Sequence, residues 1–202
     1  MSTTALIYQK APRMRRVRRA VDIAVAGTAL LVASPILAAA AAAILIEDGG
    51  SPLFVQRRVG RFERLFDIYK LRTMRKRPVT DELSPTDGRD PRITRVGYWL
   101  RKTSIDELPQ LFNVLNGTMS LIGPRPEMPF LVRRFERQQH LRHLAVPGIT
   151  GLWQIRARST VPLHLPAATE IDLEYITTAS PRNDVAIIFN TFRSVFSAHG
   201  AY

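Results

Sequence analysis

From Ile23 to Ile46 the chain reads IAVAGTALLVASPILAAAAAAILI, without one charged side chain. A helix crossing a bilayer needs about 20 apolar residues, whereas the apolar region of a secretory signal is only about 7–15 long, so a permanent membrane element is expected here. Ser34-Pro35 falls near the middle. Proline removes a backbone donor and crowds the preceding turn, so the helix is expected to break there, although transmembrane helices also tolerate proline. The flanks bear on the choice. Lys10, Arg13, Arg15, Arg16, Arg18 and Arg19 precede the run, and Arg57, Arg58, Arg61 and Arg64 follow it closely. Basic flanks favour the cytoplasmic side and anionic lipid, and both ends reach that side only if the chain turns back. A re-entrant helix-break-helix hinged at Ser34 and Pro35 is thus the alternative to a straight span.

The remainder suits one domain with its own core, giving an organisation of a basic N-terminus and membrane helix at 1–50 and a cytoplasmic domain at 51–202. Across 202 residues, 29 Lys and Arg against 17 Asp and Glu leave a formal charge of +12, which calls for an anionic partner: nucleic acid, phospholipid or a phosphorylated substrate. No cysteine is present, so disulfides, thiolate nucleophiles and cysteine metal sites are excluded.

Downstream, PLFVQRRVGRFERLFDIYKLRTM reads as short extended segments around Gly60, with a strand at Phe66–Leu71. Residues 75–92 carry three prolines and few apolar side chains and read as a long loop. Helices are expected around TRVGYWLRKT and from Ser104 to Leu115, the latter ended by Asn116-Gly117. LIGPRPEMP is too proline-rich for regular structure. Residues 130–144 mix arginines with Phe130, Leu131, Phe135, Leu141 and Leu144, as a segment lying on a membrane surface would. VPGITGLWQIRARS reads as a glycine-punctuated turn and a short strand, and a last helix starts at Ser180-Pro181. The fold class is therefore mainly α with a small β component.

TSIDELPQ sets Asp106 beside Glu107. One reading is structural: Ser104 and Glu107 have the spacing of a capping box, and Asp106 complements the helix dipole. The other is catalytic, with Asp106 as a carboxylate nucleophile toward phosphorus and a divalent cation offsetting the repulsion between the two acids. Arg101 precedes the pair, and Arg125 is pinned between Pro124 and Pro126, where its guanidinium fork is held ready for a phosphate. His140 and His143 lie three apart, but nothing near them in sequence completes a metal site, so they read as surface histidines. No Ser-His-Asp pattern, P-loop or dinucleotide fingerprint appears, and no nucleic-acid-binding motif is recognisable.

Five blocks in series resemble the bacterial sugar transferases, the monotopic phosphoglycosyl transferases: RRAVDIA before an apolar run broken at Ser-Pro; PLFVQRRVGRFERLFDIYKLRTM; DPRITRVGYWLRKTSIDELPQLFNVLNGTMSLIGPRPEMP; VPGITGLWQIRARS; and EIDLEYITTAS. The resemblance implies transfer of a sugar 1-phosphate from a UDP-sugar to a polyprenol phosphate with release of UMP, the first membrane step of exopolysaccharide, O-antigen or glycoconjugate synthesis. It implies Asp106 as the nucleophile that forms a covalent phosphosugar intermediate, Glu107 as its assistant, and Mg²⁺ held by both. Arg101, Arg125, Arg158, Lys70 and Arg72 are assigned to phosphate or substrate binding. Ser34 and Pro35 map to the break of a re-entrant helix, so the resemblance implies a monotopic protein of the bacterial inner membrane, with amphipathic interfacial helices and its site on the cytoplasmic face. A homo-oligomer is compatible with the sequence. The chain looks like the minimal form of the family, lacking a large N-terminal multi-helix domain. One departure stands out: in WQIRARS, Arg156 and Ala157 replace a small polar residue and a glycine, which bears on sugar or nucleotide selectivity. The rival from another class is a membrane-anchored basic protein that binds nucleic acid or lipid without catalysis; it explains the charge and the apolar run but not the ordered motifs.

Overall fold

A computed structural model describes residues 12–75, 85, 90–157, 161, 162, 164 and 166–196. The apolar run and its basic approach form one helix of 37 residues, α1 (Pro12–Asp48). The expected break at Ser34 and Pro35 does not divide it, because the helix continues through Pro35. Ser34 supplies the physical reason. Pro35 has no N–H for the Leu31 carbonyl, and the Ser34 hydroxyl donates to that carbonyl at 2.8 Å.

The alanines of α1 serve packing as well as hydrophobicity. Asp22, Ala26, Ala33, Ala40 and Ile44 are its buried stripe, and small side chains at helical spacing let the domain come close. Ala26, Ala29 and Leu30 join Ile68, Leu111, Val114 and Met119 in one core cluster; Leu37, Ala40 and Ile44 join Leu71, Val96, Leu100 and Ile105 in another. Both ends are tied by polar contacts. Arg19 donates to the Val114 and Leu115 carbonyls at 2.5 and 2.8 Å, capping the last turn of α3 (Gln110–Asn116). Arg18 donates to the Ile122 carbonyl at 2.6 Å, and Asp22 accepts from Ser120 Oγ at 2.8 Å. At the far end Glu47 accepts from the Arg95 and Val96 N–H groups at 2.7 and 2.9 Å, capping the start of α2 (Arg95–Lys102) from outside the helix.

The short strands carry the rest of the frame. β1 (Leu53–Val59) and β2 (Leu65–Leu71) form an antiparallel hairpin with Leu53 opposite Leu71 and Val59 opposite Leu65. A 3-10 turn at Arg61–Glu63 closes it, with Phe62 and Glu63 in left-handed backbone. β3 (Ser120–Ile122) pairs in parallel with β4 (Gly148–Thr150). Glycine is needed at 148 because a Cβ there would run into the backbone of Ile122 and Gly123. Helices α4 (Pro129–Val132), α5 (Leu152–Arg156), α6 (Pro166–Thr178) and α7 (Pro181–Phe196) follow, α7 starting at the expected Ser180-Pro181.

Three local expectations change. Residues 130–144 do not form one surface helix: they fold as α4, turns and a 3-10 helix at Gln139–Leu144, and Leu131, Val132, Arg142 and His143 are buried. The segment Leu152–Arg156 is helical rather than extended, with Trp153 packed on Ala157 and Ala168. No helix runs from Ser104 to Leu115; a single 3-10 turn, Ile105–Glu107, comes first and α3 starts only at Gln110.

Candidate active site

Asp106 and Glu107 sit on that 3-10 turn. Ser104 enters it in left-handed backbone at φ 55° and makes no side-chain cap. The capping box is therefore not formed, because Glu107 is engaged elsewhere. Its Oε1 accepts from Lys70 Nζ and from an Arg125 guanidinium nitrogen, both at 2.8 Å. Lys70 lies on β2 opposite Phe54. That strand is fixed by buried Asn113 of α3, whose Oδ1 accepts from the Tyr69 N–H at 3.1 Å and whose Nδ2 donates to the Asp67 carbonyl at 2.7 Å. Three distant parts of the chain thus meet at one carboxylate.

The GPRPEMP loop that carries Arg125 is irregular yet held along its length. Its prolines give no N–H, so the loop is held through its carbonyls. The Gly148 N–H bonds to the Pro124 carbonyl at 2.9 Å, Arg142 to the Arg125 carbonyl at 3.0 Å, Arg58 to the Pro126 carbonyl at 3.4 Å, and the Val59 N–H to the Glu127 carbonyl at 2.9 Å. Arg142 in turn forms a buried ion pair with Asp172 of α6 at 2.6 Å. Burial raises the Asp172 carboxyl to about 6 despite that partner.

Asp106 is 9% exposed, and among the described residues its carboxylate forms no hydrogen bond. Desolvation first, and the Glu107 charge second, raise it to about 6; Lys70, Arg101 and Arg125 pull the other way. The cations respond to the same setting. Arg125 is raised by Glu107, Lys70 is lowered by its burial, and Arg58 is lowered to about 10 by desolvation with Arg125 nearby. Asp106 is thus a carboxylate kept largely ionised at neutral pH in a dry cationic pocket, which favours attack on phosphorus carrying negative oxygens.

Of the residues expected from sequence, Asp106, Glu107, Lys70, Arg101 and Arg125 converge. Arg101 acts on Asp106 through its charge and donates to the Pro85 carbonyl at 2.7 Å. Arg72 is directed elsewhere: it donates to the Gly49 carbonyl and pairs with Asp48 at 3.5 Å, tying the end of α1. Arg158 lies outside the described residues. Arg156 pairs with Glu174 of α6 at 2.7 Å, so the departure in WQIRARS is spent on a contact between helices. Arg58 and the Arg142–Asp172 pair were not marked as site residues from sequence. Strand alternation signals Arg58, which shares the inward side of β1 with Phe54 and Gln56. The EIDLEY block contains Asp172, but no local pattern names its partner.

Residues 13–198 match the family model described as bacterial sugar transferase. The chain belongs to the bacterial sugar transferase family. This member of the family is 34% identical over 200 residues to the exopolysaccharide production protein ExoY of Rhizobium meliloti, covering 92% of this chain and 88% of that protein. It is 38% identical over 203 residues to the undecaprenyl-phosphate galactose phosphotransferase of Salmonella typhimurium, and 39% identical over 203 residues to a sugar transferase of Haemophilus influenzae; each alignment covers 93% of this chain. The chain spans only 42% of the length of each of those two relatives.

Proposed function

We propose that this sugar transferase moves a sugar 1-phosphate from a UDP-sugar to a polyprenol phosphate in two steps. In the first, an Asp106 carboxylate oxygen attacks the sugar-bearing phosphorus of the diphosphate. The bond from that phosphorus to the bridging oxygen breaks, UMP leaves with the oxygen, and an acyl phosphate links Asp106 to the sugar phosphate. In the second, a phosphate oxygen of the polyprenol attacks the same phosphorus, yielding the polyprenyl diphosphate sugar and freeing Asp106. The observation that carries this reading is a buried Asp106, without a hydrogen bond among the described residues, beside a Glu107 gripped by Lys70 and Arg125. Arg125 and Lys70 supply charge-assisted donors for the diphosphate, and Arg58 backs the loop that presents Arg125. Both steps develop charge on phosphate oxygens, so cations fixed before the substrate arrives lower the barrier without reorganising.

The donor set fits Mg²⁺: two adjacent carboxylates, one of them without a hydrogen bond, are the hard oxygen ligands that this ion takes together with substrate phosphates. Held by Asp106 and Glu107, it would neutralise charge on the diphosphate.

The disposition of α1 supports embedding in one leaflet. From Arg18 to Asp48 the helix covers about 45 Å at 1.5 Å per residue, and both of those ends bond to the same domain. A helix crossing the bilayer would leave one end on the far side, away from the domain. Its outward face carries Leu31, Val32 and Ile46, 76%, 71% and 86% exposed, which suits burial in acyl chains. The site then lies at the inner membrane on its cytoplasmic face, where a soluble UDP-sugar meets a lipid acceptor. The test is UMP release from a panel of UDP-sugars by the full chain in membranes with polyprenol phosphate. Release with at least one donor supports the reading, and none with any donor contradicts it.

A further inference from the structure

A second cluster lies at the tip of the β1–β2 hairpin, outside the residues assigned to sugar transfer. His140 and His143 stand three apart on the 3-10 helix Gln139–Leu144. A 3-10 helix has three residues per turn, so such side chains project on the same side. Facing them is Glu63, whose position depends on the left-handed backbone of Phe62 and Glu63, at φ 54° and 59°. Glu63 Oε1 is 2.8 Å from His140 Nδ1 and 3.9 Å from His143 Nδ1, and one ligand atom from each of the three residues lies within 4.8 Å of the others. Ligands about 2.0–2.2 Å from a shared tetrahedral Zn²⁺ stand about 3.3 Å apart, midway between these separations. Movements of about half an ångström would bring both Glu63 distances to that value.

The hydrogen bonds leave one atom unexplained. His143 is 7% exposed, and its Nδ1 is buried without a hydrogen-bond partner. A buried polar atom aimed at nothing is costly, and one aimed at a carboxylate and a second imidazole has the lone pair that a metal takes. Phe135 stacks on the His143 ring at 6.1 Å and meets His140 edge-on at 6.0 Å, restricting both rings.

We propose that Glu63, His140 and His143 form a binding site for a divalent transition metal of the Zn²⁺ type, coordinated through Glu63 Oε1 and the two Nδ1 atoms. Two imidazoles and one carboxylate select this class over Mg²⁺, which prefers oxygen ligands alone. Ligation through Nδ1 requires each ring to carry its proton on Nε2, so the proton shared between His140 Nδ1 and Glu63 Oε1 moves to Nε2 or is released when the metal binds. The metal clamps the hairpin tip against Gln139–Leu144, adding to the Glu63–His140 contact and to the bond that Arg61 Nε donates to the Leu144 carbonyl at 3.2 Å. That 3-10 helix also carries Arg142, which holds the Arg125 carbonyl, so the clamp steadies the loop beside Asp106.

The test uses the purified full chain without a histidine tag, stripped with chelator and titrated with Co²⁺ in excess Mg²⁺, reading the visible d–d absorption of the bound ion. One saturable equivalent displaced by Zn²⁺ is expected, retained in Asp106→Asn and in His164→Ala. Replacing a ligand in His140→Ala or Glu63→Gln, both at partly exposed positions, should weaken binding by more than the roughly 10–100-fold that loss of an outer-shell partner costs. No saturable absorption, or full binding in both variants, overturns the proposal. The readout is independent of UMP release, so its failure leaves the transferase reading standing, and the converse also holds.

Discussion

Asp106→Asn should make the protein more stable while it destroys activity. The Asp106 carboxyl is displaced from 3.8 to about 6, chiefly by burial. At 1.36 kcal/mol per pH unit the ionised carboxylate therefore costs the folded state about 3 kcal/mol, an upper figure because Glu107 is coupled to it. The folded state binds the proton more tightly than the unfolded chain. The cost is thus fully present above about pH 6 and fades as pH falls toward 3.8, where both states are protonated. An asparagine of the same shape carries no charge and escapes the cost. In a chain of this size 1 kcal/mol moves Tm by roughly 2–4 °C, so Asp106→Asn should melt up to about 6–12 °C higher at pH 7.5. The gap should narrow by nearly half at pH 5. Thermal melts of parent and variant in one detergent at the two pH values check this, with Glu170→Gln as an exposed-carboxylate control. A variant that melts at or below the parent at pH 7.5, or a gap that does not shrink with acid, would refute the view that burial strains this carboxylate.

Other outcomes follow from single contacts. Arg125→Lys keeps the charge but loses the fork, and should lower kcat/KM for UMP release on the order of 10²-fold, measured in membranes with a saturating acceptor. Asp172→Ala leaves the buried Arg142 guanidinium without its carboxylate and should cost about 3–5 kcal/mol of stability, read by denaturant titration; an unchanged midpoint would show that the pair does not hold the Arg125 loop. Leu31→Asp replaces an outward side chain of α1 at a cost of roughly 2.5–3.5 kcal/mol if that position lies in acyl chains. It should shift the protein from the membrane fraction to the soluble fraction without changing its circular dichroism.

What could be read from the sequence was what depends on spacing within a segment. The apolar run, the hairpin strands, the α2 helix, the Gly117 stop of α3 and the Ser180-Pro181 start of α7 are local patterns, and the structure has them. So is the proline-pinned Arg125. The misreadings share one cause: a partner supplied from far along the chain. Ser104 and Glu107 have capping-box spacing, but Lys70 lies 37 residues upstream and takes the carboxylate. Residues 130–144 look like a basic surface strip until Asp172 draws Arg142 into the interior. His143 appears to be a surface residue until Phe135 and the hairpin tip cover it. At Pro35 the proline rule is outweighed by a neighbour, because Ser34 takes up the carbonyl that proline orphans.

The central claim is that Asp106 carries the phosphosugar between donor and acceptor. Its most direct test is mass spectrometry of the full chain incubated with a turned-over UDP-sugar and no polyprenol phosphate, followed by digestion. The peptide containing Asp106 should gain the mass of a sugar phosphate, lose it when polyprenol phosphate is added, and never gain it in Asp106→Asn. An adduct on another residue, or UMP release at the parent rate by Asp106→Asn, would contradict the account.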